Sequence, residues 1–143
     1  DITENHYAQN SGSETDAPIL ILVNNYTASA SELAVSALQD YGRILVLGAQ
    51  TFGKGTVLSP LSIITNDLFD TSMVYYTDSV FYRPSGQTVQ LNGVTPDILI
   101  ANPQREKFIR EAQEKGNNPI FYERDYDNAI SAPSHPTACQ HRR

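Results

Sequence analysis

Two short apolar runs with a helical segment between them constrain the fold of this chain more than any other feature. The runs "ILILV" at 19–23 and "ILVL" at 44–47 are continuous and carry β-branched residues, which is typical of strands buried on both faces. Between them, apolar residues recur at helical spacing over 29–41. The pattern predicts a βαβ unit with parallel strands, and hence an α/β fold.

The rest of the chain favours β-structure first and a helix later. The run "TVLSPLSII" reads as an edge strand because it contains Pro60. The turn-like "RPSGQ" predicts a hairpin over about residues 74–91. A polar helix with an apolar stripe of Phe108, Ile109 and Ala112 is predicted from Asn102–Pro103 to Gly116. Residues 117–143 thin in apolar content and are interpreted as a C-terminal tail.

Composition excludes several classes of function. The 143 residues carry a formal net charge of −6 without a basic stripe, which argues against nucleic-acid binding. The longest apolar run, "PILILV", is too short to span a bilayer. The single cysteine, Cys139, excludes an internal disulfide and a cysteine zinc site. The three histidines (His6, His135 and His141) lie in polar end segments, so a histidine-based active site is not expected. Neither a metal nor a cofactor is predicted.

The loop "GAQTFGKGT", which follows the second apolar run, leaves three interpretations of Lys54 open. It approaches the phosphate-binding loop of nucleotide triphosphatases, but Gly55 stands where a serine or threonine is needed. The residues that follow also look like a strand rather than the required helix. Alternatively, Lys54 is an exposed loop residue between two glycines. The third interpretation gives Lys54 a partner at the same edge of the sheet.

That partner is Ser29, where the first predicted strand turns into the helix. Ser29 and Glu32 form a capping-box pattern, so Ser29 could be only a helix cap. The position also suits acyl transfer, because the N–H of Ala30 can face an oxyanion formed on a carbonyl attacked by Ser29. With no histidine nearby, Lys54 is the candidate base. A lysine serves as a base only when burial, here against residues such as Phe52, keeps its amine neutral.

These residues carry a resemblance. The segment "TASASELAVSALQDYGRILVLGAQTFGKGTV" resembles the core motif of the C-terminal processing peptidases, or tail-specific proteases, and "VFYRPSGQTVQLNGVTPDI" is similar to their following region. The resemblance, over about residues 18–100, implies a Ser–Lys dyad with Ser29 as nucleophile and Lys54 as general base. It also implies that Asp40 supports the site; pairing of Asp40 with Arg43 is the alternative.

The resemblance further implies a partial crotonase/ClpP-like protease core, with the βαβ unit at its centre and the hairpin appended. Residues 1–116 would then be the C-terminal part of a peptidase catalytic domain. The implied activity is serine endopeptidase cleavage of proteins near their C-termini, without cofactor, in a bacterial periplasmic or extracytoplasmic setting. A non-catalytic scaffolding relative and a nucleotide binder are the alternative functions.

The chain departs from the family pattern at two points. Members often carry a glutamine four residues after the lysine, where this chain has Leu58. The family's upstream part, with a PDZ module and a glycine-rich strand end that supplies a second oxyanion donor, is not found in the 143 residues. We therefore expect this chain to be inactive by itself.

Overall fold

The computed structural model describes residues 15–64 and 71–132. The described chain is a mixed α/β structure, in agreement with the predicted fold class. Its elements in chain order are β1 (Ile19–Val23), α1 (Ala30–Asp40), β2 (Ile44–Gly48), β3 (Thr56–Ile64), β4 (Thr71–Val80), β5 (Ile98–Leu99), α2 (Pro103–Glu114) and a 3₁₀ turn (Glu123–Asp125).

The predicted βαβ unit is confirmed. Strands β1 and β2 pair in parallel from Ile19–Ile44 to Val23–Gly48, and α1 makes the crossover between them. The short β5 adds to the other side of β2, also in parallel, so the strand order is β1-β2-β5. Because β1 and β2 are parallel, the loops that follow them leave the sheet at the same edge.

The core lies on one face of this sheet. Among the residues whose burial is described, it contains six: Val23, Val35, Ile44, Val46, Val89 and Val94. Along β1 and β2, inward residues alternate with exposed leucines at 20, 22 and 45. The expectation that both strands are buried on both faces is therefore wrong for the described residues, since a single crossover helix covers only one face.

The hairpin predicted over residues 74–91 is also wrong in its position. Strand β4 pairs antiparallel with the upstream β3, and the register shifts between Val57 and Leu58. The "RPSGQ" turn does form, with the Gly86 N–H donating to the Arg83 carbonyl at 2.8 Å. The residues after it do not return along β4, because Val89 and Val94 are drawn into the core instead. An appended hairpin thus exists, but β3 and β4 build it.

The predicted second helix is confirmed at both ends. Asn102 caps α2, its side-chain oxygen accepting from the Arg105 N–H at 3.1 Å, and Gly116 follows the helix with a φ of 76°. None of the α2 residues is buried, and Phe108 on its apolar stripe is 62% exposed. In the described ranges no helix is long and apolar enough to cross a membrane.

Candidate active site

The two loops that carry Ser29 and Lys54 meet at the carboxyl edge of β1 and β2. Ser29 is the N-cap of α1, and Lys54 lies in the loop between β2 and β3. The Phe52 N–H donates to the Thr27 carbonyl at 2.9 Å, which joins the loops directly. The βαβ geometry therefore positions the two residues that the sequence singled out on adjacent loops.

Ser29 has an unusual backbone. Its φ is 55° and its ψ is −120°, a combination that few residues other than glycine adopt. Such strained residues persist only where surrounding contacts hold them, and they cluster at active sites. The Ser29 N–H donates to Glu32 Oε2 at 2.9 Å, which is one half of the capping box. Ala30, the first helical residue, presents one of the N-terminal amides that lack an intrahelical acceptor.

Glu32 is a site residue that the sequence interpretation did not single out. Its side chain is fully buried, and its carboxylate accepts hydrogen bonds from both loops. The donors are the N–H of Ser29, the N–H of Gly53 at 2.7 Å, the N–H of Lys54 at 2.9 Å and the Thr51 hydroxyl. The signal was present in the capping box, which was read as a local contact. The carboxylate instead joins the serine loop to the lysine loop.

Lys54 and Ser29 line one cavity of about 320 Å³, together with Ala30, Leu33, Thr56, Val57, Leu58 and Phe81. The Lys54 side chain is half-buried, and its Nζ donates to the Thr56 carbonyl at 3.4 Å. In the described part of the chain, no hydrogen bond joins Lys54 Nζ to the Ser29 hydroxyl. Catalytic hydrogen bonds are often long before substrate binds, so the shared cavity is the relevant observation.

The glycines on either side of Lys54 allow a close approach of the backbone. Gly53 has a φ of 97°, which disfavours any side chain. A Cβ at Gly55 would lie 2.8 Å from the Gln90 backbone nitrogen, which is closer than real Cβ contacts. Both glycines are therefore required by the packing of this loop against the segment around Gln90.

Asp40, at the far end of α1, contacts a different loop. It forms an ion pair with Arg83 and accepts from the Ser85 N–H at 3.0 Å. Burial raises the pKa of Asp40, but the hydrogen bonds from Arg83 and Ser85 outweigh it and hold that pKa below its ordinary value. The alternative partner, Arg43, donates instead to backbone carbonyls before β1.

In the described ranges, no group of three or more His, Cys, Asp or Glu residues is placed to hold a metal ion. The predictions made for the three histidines and Cys139 lie outside the described residues.

Comparisons with known proteins agree with the fold and the sequence motifs. A model of peptidase family S41 matches residues 2–100, more than half of the chain. The chain therefore belongs to peptidase family S41, which confirms the resemblance to C-terminal processing peptidases.

Individual relatives point to the same kind of enzyme. A carboxy-terminal-processing protease of Bartonella bacilliformis is 40% identical over 93 residues, 65% of this chain and 20% of that protein. A tail-specific protease of Haemophilus influenzae is 36% identical over 125 residues, 84% of this chain and 16% of that protein. Among solved structures, a photosystem II D1 C-terminal processing protease matches with a TM-score of 0.50 and 39% identity, over 59% of this chain and 21% of that one. The chain thus spans about a fifth of the length of these relatives.

Proposed function

We propose that this chain supplies the nucleophile and the general base of a serine endopeptidase that cleaves proteins near their C-termini. The observation that carries the proposal is the cavity lined by Ser29, Ala30 and Lys54 at one edge of a parallel sheet. Family membership and the strained backbone of Ser29 support it. The names of the two bacterial relatives suggest the C-terminal substrate class.

The chemistry follows from the three groups. Lys54 takes the proton as the Ser29 hydroxyl oxygen bonds to the scissile carbonyl carbon. The negative charge formed on the carbonyl oxygen faces the Ala30 N–H at the positive end of α1. When the C–N bond breaks, Lys54 returns the proton to the leaving amine. Water then hydrolyses the acyl–serine ester by the same sequence of proton transfers.

Nucleotide binding is disfavoured by the engagement of the loop amides. In a phosphate-binding loop, free backbone N–H groups surround the phosphates. Here the N–H groups of Gly53 and Lys54 donate to Glu32, and that of Gly55 donates to Gln90 at 2.7 Å. Strand β3, rather than a helix, begins directly after the loop. An anionic phosphate would have to displace a buried carboxylate.

The same proposal includes the source of the second oxyanion donor and the cell compartment in which the protein works. Ala30 supplies one donor, and the upstream half of the catalytic domain, with its PDZ module, would supply the second donor and the binding of substrate tails. We accordingly expect the 143-residue chain alone not to hydrolyse peptides.

The periplasmic or extracytoplasmic setting remains an inference from the family, which cell fractionation would test.

The proposal is tested by labelling the protein, in its full natural length, with a fluorophosphonate probe. We expect labelling of the wild type and its loss in Ser29→Ala. Lys54→Ala should slow labelling by at least about 100-fold, since general-base catalysis contributes on this scale. Ser31→Ala, two residues along the same helix, is the matched control and should label normally.

A wild type that fails to label would favour the alternative of a non-catalytic scaffolding relative. Labelling that survives Ser29→Ala would place the nucleophile elsewhere and refute the assignment. Binding of ATP that disappears in Lys54→Ala would restore the nucleotide-binding alternative.

A further inference from the structure

Residues 121–130, which the sequence assigned to a tail, pack against the lysine loop. The Glu123 N–H donates to the Phe52 carbonyl at 3.0 Å. The rings of Phe52 and Tyr126 meet edge to face, with centroids 6.4 Å apart. This segment therefore contacts the loop that carries Lys54 through both its backbone and its side chains.

Gln90 connects that segment to the lysine loop from inside the protein. Its side chain is only 2% exposed. Its Oε1 accepts from the Gly55 N–H at 2.7 Å, and its Nε2 donates to Glu123 Oε1 at 3.3 Å and to the Ile130 carbonyl at 3.0 Å. Because a buried amide left without partners is costly, these three bonds hold together the parts that they join.

The same segment lines a second cavity beside Lys54. A cavity of about 410 Å³ has Lys54, Thr56 and Leu58 on one side and residues of the segment, including Glu123 and Tyr126, on the other. Lys54 thus lines both this cavity and the one that contains Ser29. A shift of the segment would change the space open to the lysine side chain in this second cavity.

We propose that Gln90 is a positioning residue for Lys54, and that residues 121–130 are part of the catalytic unit rather than a separate tail. Gln90 fixes the Gly55 amide next to Lys54, and the segment lines the second cavity beside the lysine, so together they restrict where the lysine side chain lies relative to Ser29. The catalytic part of this inference rests on the function proposed above; the structural part does not.

The structural part is tested on the 143-residue chain by amide hydrogen exchange, measured by NMR. In Gln90→Ala, the Gly55 amide should exchange at least about tenfold faster than in the wild type, because one net hydrogen bond of about 1.4 kcal/mol is lost. The amides of β1 and α1 should keep their protection. Gln113→Ala, which removes an exposed glutamine of α2, is the control and should change neither. Unchanged exchange at Gly55 would overturn the proposed link.

The catalytic part is tested by steady-state kinetics in the longest natural form of the protein. Gln90→Ala should lower kcat by roughly 10- to 100-fold with KM within about twofold, because misplacing a catalytic group costs rate rather than binding. Gln90→Glu keeps an acceptor for the Gly55 N–H but loses the donor to Glu123 and to the Ile130 carbonyl, so its kcat should lie between those of the wild type and of Gln90→Ala. A loss confined to KM, or an unchanged kcat in Gln90→Ala, would refute a positioning role.

A paired exchange separates positioning from general stability. Adding Glu123→Gln to Gln90→Glu reverses the donor and the acceptor, and should recover part of the kcat lost in Gln90→Glu alone. Absence of any recovery would count against the link through Glu123. If the wild type shows no Ser29-dependent hydrolysis, the proposed function fails, whereas the exchange experiment still decides whether Gln90 holds the lysine loop.

Discussion

The two ends of helix α1 each present a carboxylate to a loop that is distant in sequence, and they use it differently. Glu32, in the first turn, is completely buried and accepts from three backbone amides and a hydroxyl. Asp40, the last helical residue, has a side chain 13% exposed and pairs with the cation of Arg83.

The difference teaches how each loop is held. At the first end, three N–H groups and a hydroxyl of the described residues satisfy the carboxylate, and they join the loop of Ser29 to the loop of Lys54. At the other end, the turn at residues 83–86 supplies one amide, from Ser85, and a guanidinium completes the contact. The first carboxylate joins the Ser29 loop to the Lys54 loop, whereas the second joins α1 to the turn at residues 83–86.

The largest effect is expected from Glu32→Ala, which would test that division. It leaves the amides of Ser29, Gly53 and Lys54 without their acceptor, and we expect a loss of roughly 3 kcal/mol in the free energy of unfolding. Fluorophosphonate labelling of Ser29 should fall by about 100-fold, because displacement by an ångström can cost that much. Urea denaturation and labelling rates measure the two effects.

Glu111→Ala provides the matched control. Glu111 lies on exposed α2, and its ion pair with Lys107, at 3.8 Å, is solvent-exposed. Stability should change by no more than about 0.5 kcal/mol, and labelling should not change. If Glu32→Ala behaved like this control, the carboxylate would not hold the two loops together.

A smaller and pH-dependent effect is expected from Asp40→Asn. The pKa of Asp40 is lower in the folded chain, so its contribution to stability is present above the unfolded pKa, about 3.9, and is lost as pH falls through the folded pKa. At pH 7 the substitution should cost roughly 1.5 kcal/mol, since hydrogen bonds to a charged group weaken. Below about pH 4 the difference from the wild type should shrink.

Urea midpoints at several pH values check this prediction, with Asp78→Asn on exposed β4 as the control. Because Asp78 is exposed, the control should shift the urea midpoint much less than Asp40→Asn does at pH 7. A cost for Asp40→Asn that stays constant down to pH 3 would contradict the proposed role of the charge. If Asp40→Asn abolished the labelling of Ser29 while the protein kept its full stability, Asp40 would act on the candidate active site and not only on the stability of the fold.

The sequence predicted that the loops at 24–29 and 48–55 meet, because the βαβ pattern alone brings them to one edge of the sheet. It could not place Glu32, because a capping box looks the same whether its carboxylate stays local or also binds a second loop. It could not place Gln90 either, since the partners of Gln90 lie 33 to 40 residues away.

The hairpin error has a related cause. The β-forming residues of β4 mark a strand without identifying its partner, and the "RPSGQ" turn suggested the downstream segment. Instead, the downstream segment buries Val89 and Val94 in the core, and β4 pairs with β3. Contacts within one supersecondary unit were predictable, whereas those that depend on competition for the core were not.

The smallest effect is expected from Leu58→Gln, which restores the residue of the family pattern. Leu58 lines both cavities beside Lys54, so an amide oxygen there could accept from the lysine amine. Since Leu58 is 43% exposed, stability should change by less than about 0.5 kcal/mol. If that contact orders the amine, kcat should rise by roughly two- to fivefold. Leu61→Gln on the same strand should leave kcat unchanged; equal effects of both substitutions would mean that surface polarity, rather than a contact with Lys54, causes any change.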